Sequence, residues 1–261
     1  MEFTQILFEK KGPVRILTLN RPDIRNVITG PEIIEEIVAA VHQVQNDPGA
    51  RALVITGAGS AFSAGGDVKE MARGEGMFAG TPEKIADNYR AGIQRIPRAL
   101  HALDVPAIAA VNGPAIGAGC DLACMCDVRM ASETAKFGET FAALGLVPGD
   151  GGAYFLPRAV GASRAAELSF TARVFDAFEA LEMGLVSRVT PPADLMRRAL
   201  ELAEAIAARP GPTLRMTKRL LRMARTASLT EVLDASAAFQ GQCHHLPEHK
   251  DAVEAFLNRK K

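Results

Sequence analysis

The sequence predicts an α/β fold followed by a helical C-terminal region. Through residues 1–192, short apolar or alternating segments typical of strands are separated by amphipathic segments typical of helices. Through residues 193–261, the apolar residues recur only at helical spacing. The chain has 261 residues, of which 48% are hydrophobic, and this is enough for one large core. We therefore expect an α/β core over 1–192 and a helical region over 193–261 that packs tightly on it.

Four segments of the core have the pattern of β-strands. Residues 14–19 alternate in polarity and are rich in β-branched side chains. Residues 52–56 and 107–111 are short apolar runs that end in glycine or in turn residues, and residues 128–131 are a fourth candidate. Strands separated by helices over this length indicate an α/β domain.

The helices are predicted from apolar periodicity and from the positions of proline. Pro31 opens the first helix, whose apolar residues share one face: Ile33, Ile34, Ile37, Val38 and Val41. A longer helix is expected from residue 82 to about residue 103, with a bend or break at Pro97. Four helices are expected in the C-terminal region, at residues 194–208, 212–224, 230–242 and 247–260.

Charge and composition argue against several classes of function. Lys and Arg together number 30, as do Asp and Glu, so no overall field attracts nucleic acid or an anionic membrane. No apolar stretch reaches the roughly 20 residues of a membrane span, and the N-terminus lacks a signal-peptide pattern. Neither the four cysteines nor His244, His245 and His249 form a complete set of metal ligands. We expect a cytoplasmic protein without a bound metal.

Two glycine-rich segments, each after a predicted buried strand, carry the strongest chemical signal. Residues 61–69 have the sequence AFSAGGDVK, and residues 112–121 have the sequence NGPAIGAGCD. Glycine and alanine let the backbone approach a ligand and leave N–H groups free where a helix begins. Neither segment matches a dinucleotide-binding, P-loop or nucleophile-elbow motif. Either both are merely tight turns, or their N–H groups converge to stabilise an oxyanion.

In order and at matching spacing, these and later segments resemble the enoyl-CoA hydratase/isomerase (crotonase) family over essentially the whole chain. The matching segments are residues 61–69, 106–113, 117–121, 126–131, 136–138, 144–148, 156–161 and 182–186. The resemblance implies a ClpP-like spiral of β–β–α turns with a helical C-terminal region. It also implies a homotrimer or a hexamer built as a dimer of trimers, with residues 193–261 as the helical oligomerisation region. The implied substrate is an acyl-CoA, of which coenzyme A is a part, and no further cofactor is implied.

The resemblance also assigns the parts of a thioester site. The backbone N–H groups that hold the thioester oxygen fall on Gly66 and Ala118, where alanine replaces the commoner glycine but retains the N–H. Such an oxyanion hole stabilises the charge that develops when the α-carbon loses a proton or its neighbour is attacked. Phe141 is expected to line the acyl pocket. The predicted contacts to coenzyme A come from the first glycine-rich segment: Ser63, Ala64, Asp67 and Lys69.

The acidic residues depart from the hydratase pattern of this family. Of the two expected glutamates, the first is Asp121 in this chain and the second is Phe141, which cannot transfer a proton. Asp121 is the leading acid–base candidate. Asp150 is the second candidate, with capping of the following helix as its alternative role. Glu139 is expected to be a structural salt-bridge partner.

This set of residues predicts hydration of an enoyl-CoA, or isomerisation of its double bond, through an oxyanion-stabilised enolate. Isomerisation is slightly favoured because one carboxylate can shuttle a proton between two carbons, whereas hydration normally needs a second group to position water. Two alternatives stay open: an acyl-CoA hydrolase that uses Asp150, and a catalytically silent acyl-CoA-binding oligomer. A ClpP-type serine peptidase is a further rival, but no serine lies in a suitable elbow.

Overall fold

The computed structural model describes residues 3–258, in which nine strands alternate with helices. The strands are β1 (Ile6–Lys11), β2 (Val14–Leu19), β3 (Ala52–Gly57), β4 (Ala107–Val111), β5 (Ala115–Ile116), β6 (Val128–Ser132), β7 (Lys136–Gly138), β8 (Val174–Asp176) and β9 (Arg188–Thr190). The α-helices are α1 (Pro31–Asn46), α2 (Val68–Arg73), α3 (Pro82–Ala91), α4 (Arg95–Ala102), α5 (Ala118–Met125), α6 (Gly152–Val160), α7 (Ala162–Thr171), α8 (Ala177–Glu182), α9 (Leu195–Ala207), α10 (Gly211–Met223), α11 (Leu229–His244) and α12 (Pro247–Asn258). The four strands and the C-terminal helices predicted from the sequence are confirmed. The end of the last predicted helix, at residue 260, lies outside the described residues.

Six strands form the main sheet, in the order β1-β2-β3-β4-β6-β9. β1 and β2 are an antiparallel hairpin, and the other neighbouring pairs are parallel. Parallel neighbours need a crossover connection, which the intervening helices provide. β5, β7 and β8 form a second sheet. Because β3 and β4 are parallel neighbours, their carboxyl ends lie at the same edge of the main sheet. Each of these ends leads into one of the two glycine-rich segments.

Alternate residues of the main sheet face two separate hydrophobic cores. On one face, Val54 and Ile108 pack with the apolar residues of α9. On the other face, Ile55 and Ala109 join the larger core, to which α1 and α5 also contribute. Because β3 and β4 are buried on both faces, they are apolar at nearly every position, which made them recognisable in the sequence.

The long helix predicted over residues 82–103 is two helices, and the predicted break at Pro97 is wrong. α3 ends at Ala91 and α4 begins at Arg95, so the break lies around Gly92. Gly92 has φ −101° and ψ −115°, a backbone conformation far from a helix. Pro97 lies in the first turn of α4, where a missing N–H costs no helical hydrogen bond.

Charged side chains fasten α10 to the core. Arg215 donates hydrogen bonds to backbone carbonyls at the C-terminal end of α1, the shortest at 2.9 Å. The buried Asp104, in the connection between α4 and β4, accepts from Arg219 at 2.8 Å and from Arg222 at 3.0 Å. α9 packs on the main sheet, whereas no described residue of α11 or α12 is buried. The predicted tight packing therefore holds for α9 and α10 and is wrong for the last two helices. A role of residues 193–261 in oligomerisation stays a prediction.

Replacing Asp104 by Ala is expected to lower the free energy of unfolding by about 1–3 kcal/mol, because Arg219 and Arg222 lose their shared partner. Burial opposes ionisation of Asp104, but hydrogen bonds from Arg219, Gln45 and Arg222 outweigh it and lower the pKa of the carboxyl. Since the folded-state pKa lies below the unfolded value, this stabilisation is present at neutral pH and lost as the pH falls through the folded pKa. Urea unfolding of both proteins at neutral and at acidic pH checks this. A difference that does not shrink in acid contradicts it.

Candidate active site

The two glycine-rich segments lie side by side. The Ile116 N–H donates to the Ser63 carbonyl at 3.0 Å, and the Ser63 N–H donates to the Pro114 carbonyl at 3.1 Å. Ser63 also forms a parallel β-bridge with Ala115 of β5. Gly119 has no room for a side chain, because a Cβ atom there would overlap the Ser63 carbonyl. The glycines therefore allow two segments that are distant in sequence to touch along their backbones.

Gly65 brings the first segment to the start of α5. Its φ of +81° is in the left-handed region that favours glycine, and a Cβ atom there would lie only 3.0 Å from the Ala118 nitrogen. Ala118 is the first residue of α5, where backbone N–H groups have no partner within the helix. The amide of Ala118 and the backbone of residues 65–66 are thus immediate neighbours.

The amides of Gly66 and Ala118 have no hydrogen-bond acceptor within residues 3–258. Their neighbours in sequence differ from them: Gly65 donates to a serine hydroxyl and Gly117 donates to a backbone carbonyl. A pair of unused donors beside a buried cluster of acids is the arrangement expected of an anion-stabilising site.

The four residues predicted to contact coenzyme A differ in their burial and in their hydrogen bonds. Ser63 is buried; its hydroxyl donates to the Asn26 carbonyl at 2.7 Å and accepts from the Gly65 N–H at 3.0 Å, so it holds the loop in shape. The Asp67 carboxylate caps α2, accepting from the Lys69 N–H at 2.8 Å. Lys69 is exposed, and Ala64 is half-buried. Their contacts to coenzyme A stay predictions.

Three carboxyl groups from separate parts of the chain meet beside these amides. Asp121 lies in the first turn of α5, Glu139 follows β7, and Asp150 precedes α6; they are 0%, 1% and 3% exposed. Gly152, the first residue of α6, gives them room, because a Cβ atom there would overlap both Glu139 Oε1 and Asp121 Oδ1. We call Asp121, Glu139 and Asp150 the carboxyl cluster.

The carboxyl cluster has almost no outside hydrogen-bond donors. Neither oxygen of Asp121 or of Glu139, nor Oδ1 of Asp150, accepts a hydrogen bond from a described group outside the cluster. Burying several ionised carboxylates without donors is strongly unfavourable, and such groups bind protons instead. The three residues therefore share protons among themselves.

The pKa values of the cluster are all raised, with a clear order of causes. Burial, followed by the negative charges of Asp150 and Glu139, raises the pKa of Asp121 well above its usual range. Burial also raises the pKa of Glu139 to about 7, although a hydrogen bond from Asp121 opposes the shift. Burial raises the pKa of Asp150, again against a hydrogen bond from Asp121. Asp121, whose pKa is raised well above its usual range, is thus a protonated member of the cluster, and its single proton is donated to one neighbour at a time.

Two of the sequence-based interpretations of these acids are wrong. Glu139 is not a salt-bridge partner, because none of the described cations pairs with it. Asp150 does not cap α6: the helix begins after Gly151, whose φ is 121°, and it has no side-chain cap. A 3-10 helix at Thr140–Leu144 begins directly after Glu139, so residues 139 and 141 do not lie in one extended segment.

An apolar cavity of about 420 Å³ adjoins the first glycine-rich segment. A Cβ atom on Gly66 would overlap the end of Met71, one of the lining residues, so Gly66 lies against one wall of the cavity. Tyr89 also lines the cavity, and the charge of Asp150 contributes after burial to raising the pKa of its phenol. The other lining residues are Val68, Ala72, Phe78, Ile85, Leu144 and Leu146.

Phe141 lies beside the start of α5. A Cβ atom on Gly117 would be 3.7 Å from its Cζ atom, so the end of the ring lies close to the residue that precedes Ala118. Where the hydratase pattern expects a carboxylate, this chain therefore presents an aromatic ring. The predicted role of Phe141 in lining the acyl pocket stays a prediction.

Two further observations on the described residues concern metal ions and membrane spans. Among residues 3–258, no three His, Cys, Asp or Glu side chains are arranged to hold a metal ion. The His244 and His249 rings contact each other, with 3.1 Å between Nδ1 and Nε2, but no third such side chain completes a site there. Over the same range, no helix combines the length and the apolar character needed to cross a membrane.

Comparison with known proteins identifies the family. The Enoyl-CoA hydratase/isomerase family profile matches residues 9–261. The chain therefore belongs to the enoyl-CoA hydratase/isomerase (crotonase) family. The short-chain-enoyl-CoA hydratase of Clostridium acetobutylicum is 35% identical, with 100% of this chain and 97% of the relative covered. The crotonyl-CoA hydratase of Syntrophomonas wolfei is 34% identical, with 100% and 98% covered.

Solved structures give the same result for the fold. A crystal structure of enoyl-CoA hydratase from Bacillus anthracis superposes with a TM-score of 0.91 at 31% identity, covering 98% of this chain and 97% of that one. An enoyl-CoA hydratase structure from Geobacillus kaustophilus has a TM-score of 0.89 at 33% identity, with 100% and 98% covered. The predicted crotonase fold with its helical C-terminal region is confirmed.

Proposed function

We propose that this chain hydrates the double bond of a 2-enoyl-CoA, with Asp121 and Asp150 as its acid–base pair. The observation that carries the proposal is the contact between two buried carboxyl groups beside two unused backbone amides. Hydration requires one group to take a proton from water and another to give a proton to carbon. Two carboxyl groups whose surroundings hold their pKa values apart provide both roles.

The amides of Gly66 and Ala118 would form the oxyanion hole. When water adds to the β-carbon, negative charge develops on the thioester oxygen, and two fixed N–H donors stabilise it without reorganising. The closeness of Gly65 to the Ala118 nitrogen supports convergence of these donors. The acyl chain would enter the adjoining apolar cavity, which Met71 and Tyr89 line.

The protonation of Asp121 and Asp150 supports a different role for each. Asp150, which accepts a hydrogen bond from Asp121, takes a proton from water while the water oxygen bonds to the β-carbon. Asp121, whose pKa is raised by burial and by its acidic neighbours, gives its proton to the α-carbon of the enolate. The contact between the two carboxyls then lets the proton on Asp150 return to Asp121. Water has been added across the double bond, and the enzyme regains its starting state.

Hydration is preferred to isomerisation because the cluster contains more than one carboxyl. The sequence favours isomerisation on the assumption that a single acid faces the substrate. In the structure, Asp121 meets Asp150, so a second group able to position water is present. The names of the relatives, which are hydratases, support the same choice.

Isomerisation is the second candidate, and Phe141 favours it. The end of the ring lies close to the residue that precedes Ala118, at the place where a second glutamate would hold water. If Phe141 keeps water away, Asp121 would take a proton from one carbon and return it to another.

Assays of the purified protein with crotonyl-CoA and with a 3-enoyl-CoA separate these functions. We expect crotonyl-CoA to be hydrated to 3-hydroxybutyryl-CoA, with a substantial loss of kcat in Asp150→Asn. Conversion of the 3-enoyl-CoA alone would replace hydration by isomerisation. Release of free coenzyme A would indicate a hydrolase, and binding without any turnover would indicate a silent acyl-CoA-binding protein.

We further propose self-association as a trimer or hexamer. Large apolar side chains are exposed on α7 and α8, including Phe170 at 82% and Phe178 at 55%, and on α11, including Leu229 at 74%. Exposed apolar surface of this size is typical of subunit interfaces. Light scattering coupled to size-exclusion chromatography measures the mass directly, and a monomer would contradict the proposal.

A further inference from the structure

Glu139 is a member of the carboxyl cluster that the proposed acid–base pair does not use. It is 1% exposed, and neither of its oxygens accepts a hydrogen bond from a described donor outside the cluster. It caps no α-helix and pairs with no described cation. A buried carboxyl without a structural partner is unfavourable for folding, which points to a role in the site.

The backbone places the side chain of Glu139 next to the carboxyl group of Asp121. The residue follows β7 directly, where its backbone turns with φ −90° and ψ 67° into the 3-10 helix. Its Oε1 atom and the Asp121 carboxyl approach the same point, the place that a side chain on Gly152 would occupy. Any residue larger than glycine at 152 would separate the two groups. Asp121 and Glu139 are therefore in contact, and Asp150 lies close to both.

We propose that Glu139 is a positioning residue which, in its protonated form, hydrogen-bonds to Asp121 and limits the carboxyl cluster to one negative charge. This inference rests on the proposed function, in which Asp121 is the proton donor and Asp150 is the base. With Glu139 protonated, Asp150 carries the charge of the cluster. With Glu139 ionised, a second negative charge lies next to the acid and near the thioester oxygen that becomes anionic.

The groups that face Glu139 are all acidic or neutral. Asp121 and Cys120 lie near it on α5, and Asp150 lies near it in the segment before α6, with Tyr89 of α3 near Asp150. None of the cations within residues 3–258 pairs with it. Its pKa, raised to about 7 by burial, therefore places its ionisation in the neutral range.

The ionisation of Glu139 is expected to lower kcat as the pH rises. Below the pKa of Glu139 the cluster carries one negative charge and Asp121 can release its proton to carbon. Above this pKa the added charge makes Asp121 a weaker acid and opposes the oxyanion, so kcat falls. An uncompensated charge a few ångströms away in a partly screened site corresponds to roughly a tenfold loss of kcat.

The test is the pH profile of kcat for the wild type and for Glu139→Gln, which has the same shape but cannot ionise. We expect the wild-type kcat to fall about tenfold as the pH rises through about 7. In Glu139→Gln we expect this fall to be absent, with kcat within about threefold of the wild type at pH 6. Glu133→Gln is the matched control, because Glu133 is exposed and lies in the turn between β6 and β7. It should keep the wild-type profile.

Two outcomes overturn the inference. One is a Glu139→Gln enzyme that retains the wild-type fall in kcat. The other is a Glu139→Gln enzyme whose kcat is lowered equally at every pH, as for a purely structural role.

Infrared difference spectra over the same pH range provide a readout without substrate. The carboxylic acid band that the wild type loses near neutral pH should be missing in Glu139→Gln, and its persistence contradicts the proposal. If the wild type hydrates no enoyl-CoA, the proposed function fails, and the spectra still decide whether Glu139 is the group that ionises.

Discussion

Replacing Asp121 by Asn is expected to lower kcat for enoyl-CoA hydration by about 10³-fold, within the 10²–10⁴ that a general acid or base typically contributes. Asn has nearly the shape of Asp but cannot give a proton to the α-carbon. Substrate binding uses other groups, so KM should change much less than kcat. Steady-state kinetics with crotonyl-CoA measure both quantities. A variant that keeps a tenth or more of the wild-type kcat would remove Asp121 from the mechanism.

The same variant should not be less stable than the wild type, which separates catalysis from folding. Burial, with the charges of Asp150 and Glu139, raises the folded-state pKa of Asp121 above its unfolded value. The contribution of Asp121 to the free energy of unfolding is therefore most favourable in acid. It is lost as the pH rises from the unfolded-state pKa toward the folded-state pKa. Asn avoids this loss, so we expect the Tm at neutral pH to be unchanged or higher. A large fall in Tm would assign Asp121 a structural role.

The sequence predicts four of the six strands of the main sheet, β2, β3, β4 and β6, because their burial is a property of the strands themselves. β3 and β4 are covered on both faces, so their apolar character is visible without knowledge of their neighbours. β1 shows the opposite case: only Ile6 is buried, and Glu36 of α1 holds its start by accepting from the Ile6 N–H at 3.1 Å. A strand that depends on a residue thirty positions away has little local signal.

The sequence also indicates Gly66 and Ala118 as the oxyanion-hole candidates. It does not indicate that Glu139 joins Asp121 and Asp150 in one cluster. Glycine at 65 and 119 is required by backbone contact, and this requirement appears in the sequence as a glycine-rich motif. The role of Glu139 depends on the 3-10 helix that follows it and on the absence of a side chain at Gly152. The pair Gly151 and Gly152 is the signal that could have revealed it. Without the fold, that signal is equally consistent with a simple helix start.

Ala118→Pro is expected to lower kcat by roughly 10²–10³-fold, because it removes one donor of the proposed oxyanion hole. Position 118 suits this substitution unusually well. It is the first residue of α5, where proline is favoured and where the lost N–H makes no helical hydrogen bond. The preceding residue is glycine, with φ 52° and ψ −121°, so the restriction that proline imposes on its neighbour is easily tolerated.

Ala118→Gly is the matched control, since it changes the side chain but keeps the N–H. Its kcat should stay within about threefold of the wild type. Because the hole binds charge that develops only during the reaction, Ala118→Pro should lower kcat much more than it raises KM. Steady-state kinetics on crotonyl-CoA, with circular dichroism and Tm to verify folding, measure the effect. A folded Ala118→Pro enzyme with wild-type kcat would show that the 118 amide does not bind the thioester oxygen, and the proposed site would lose one of its two donors.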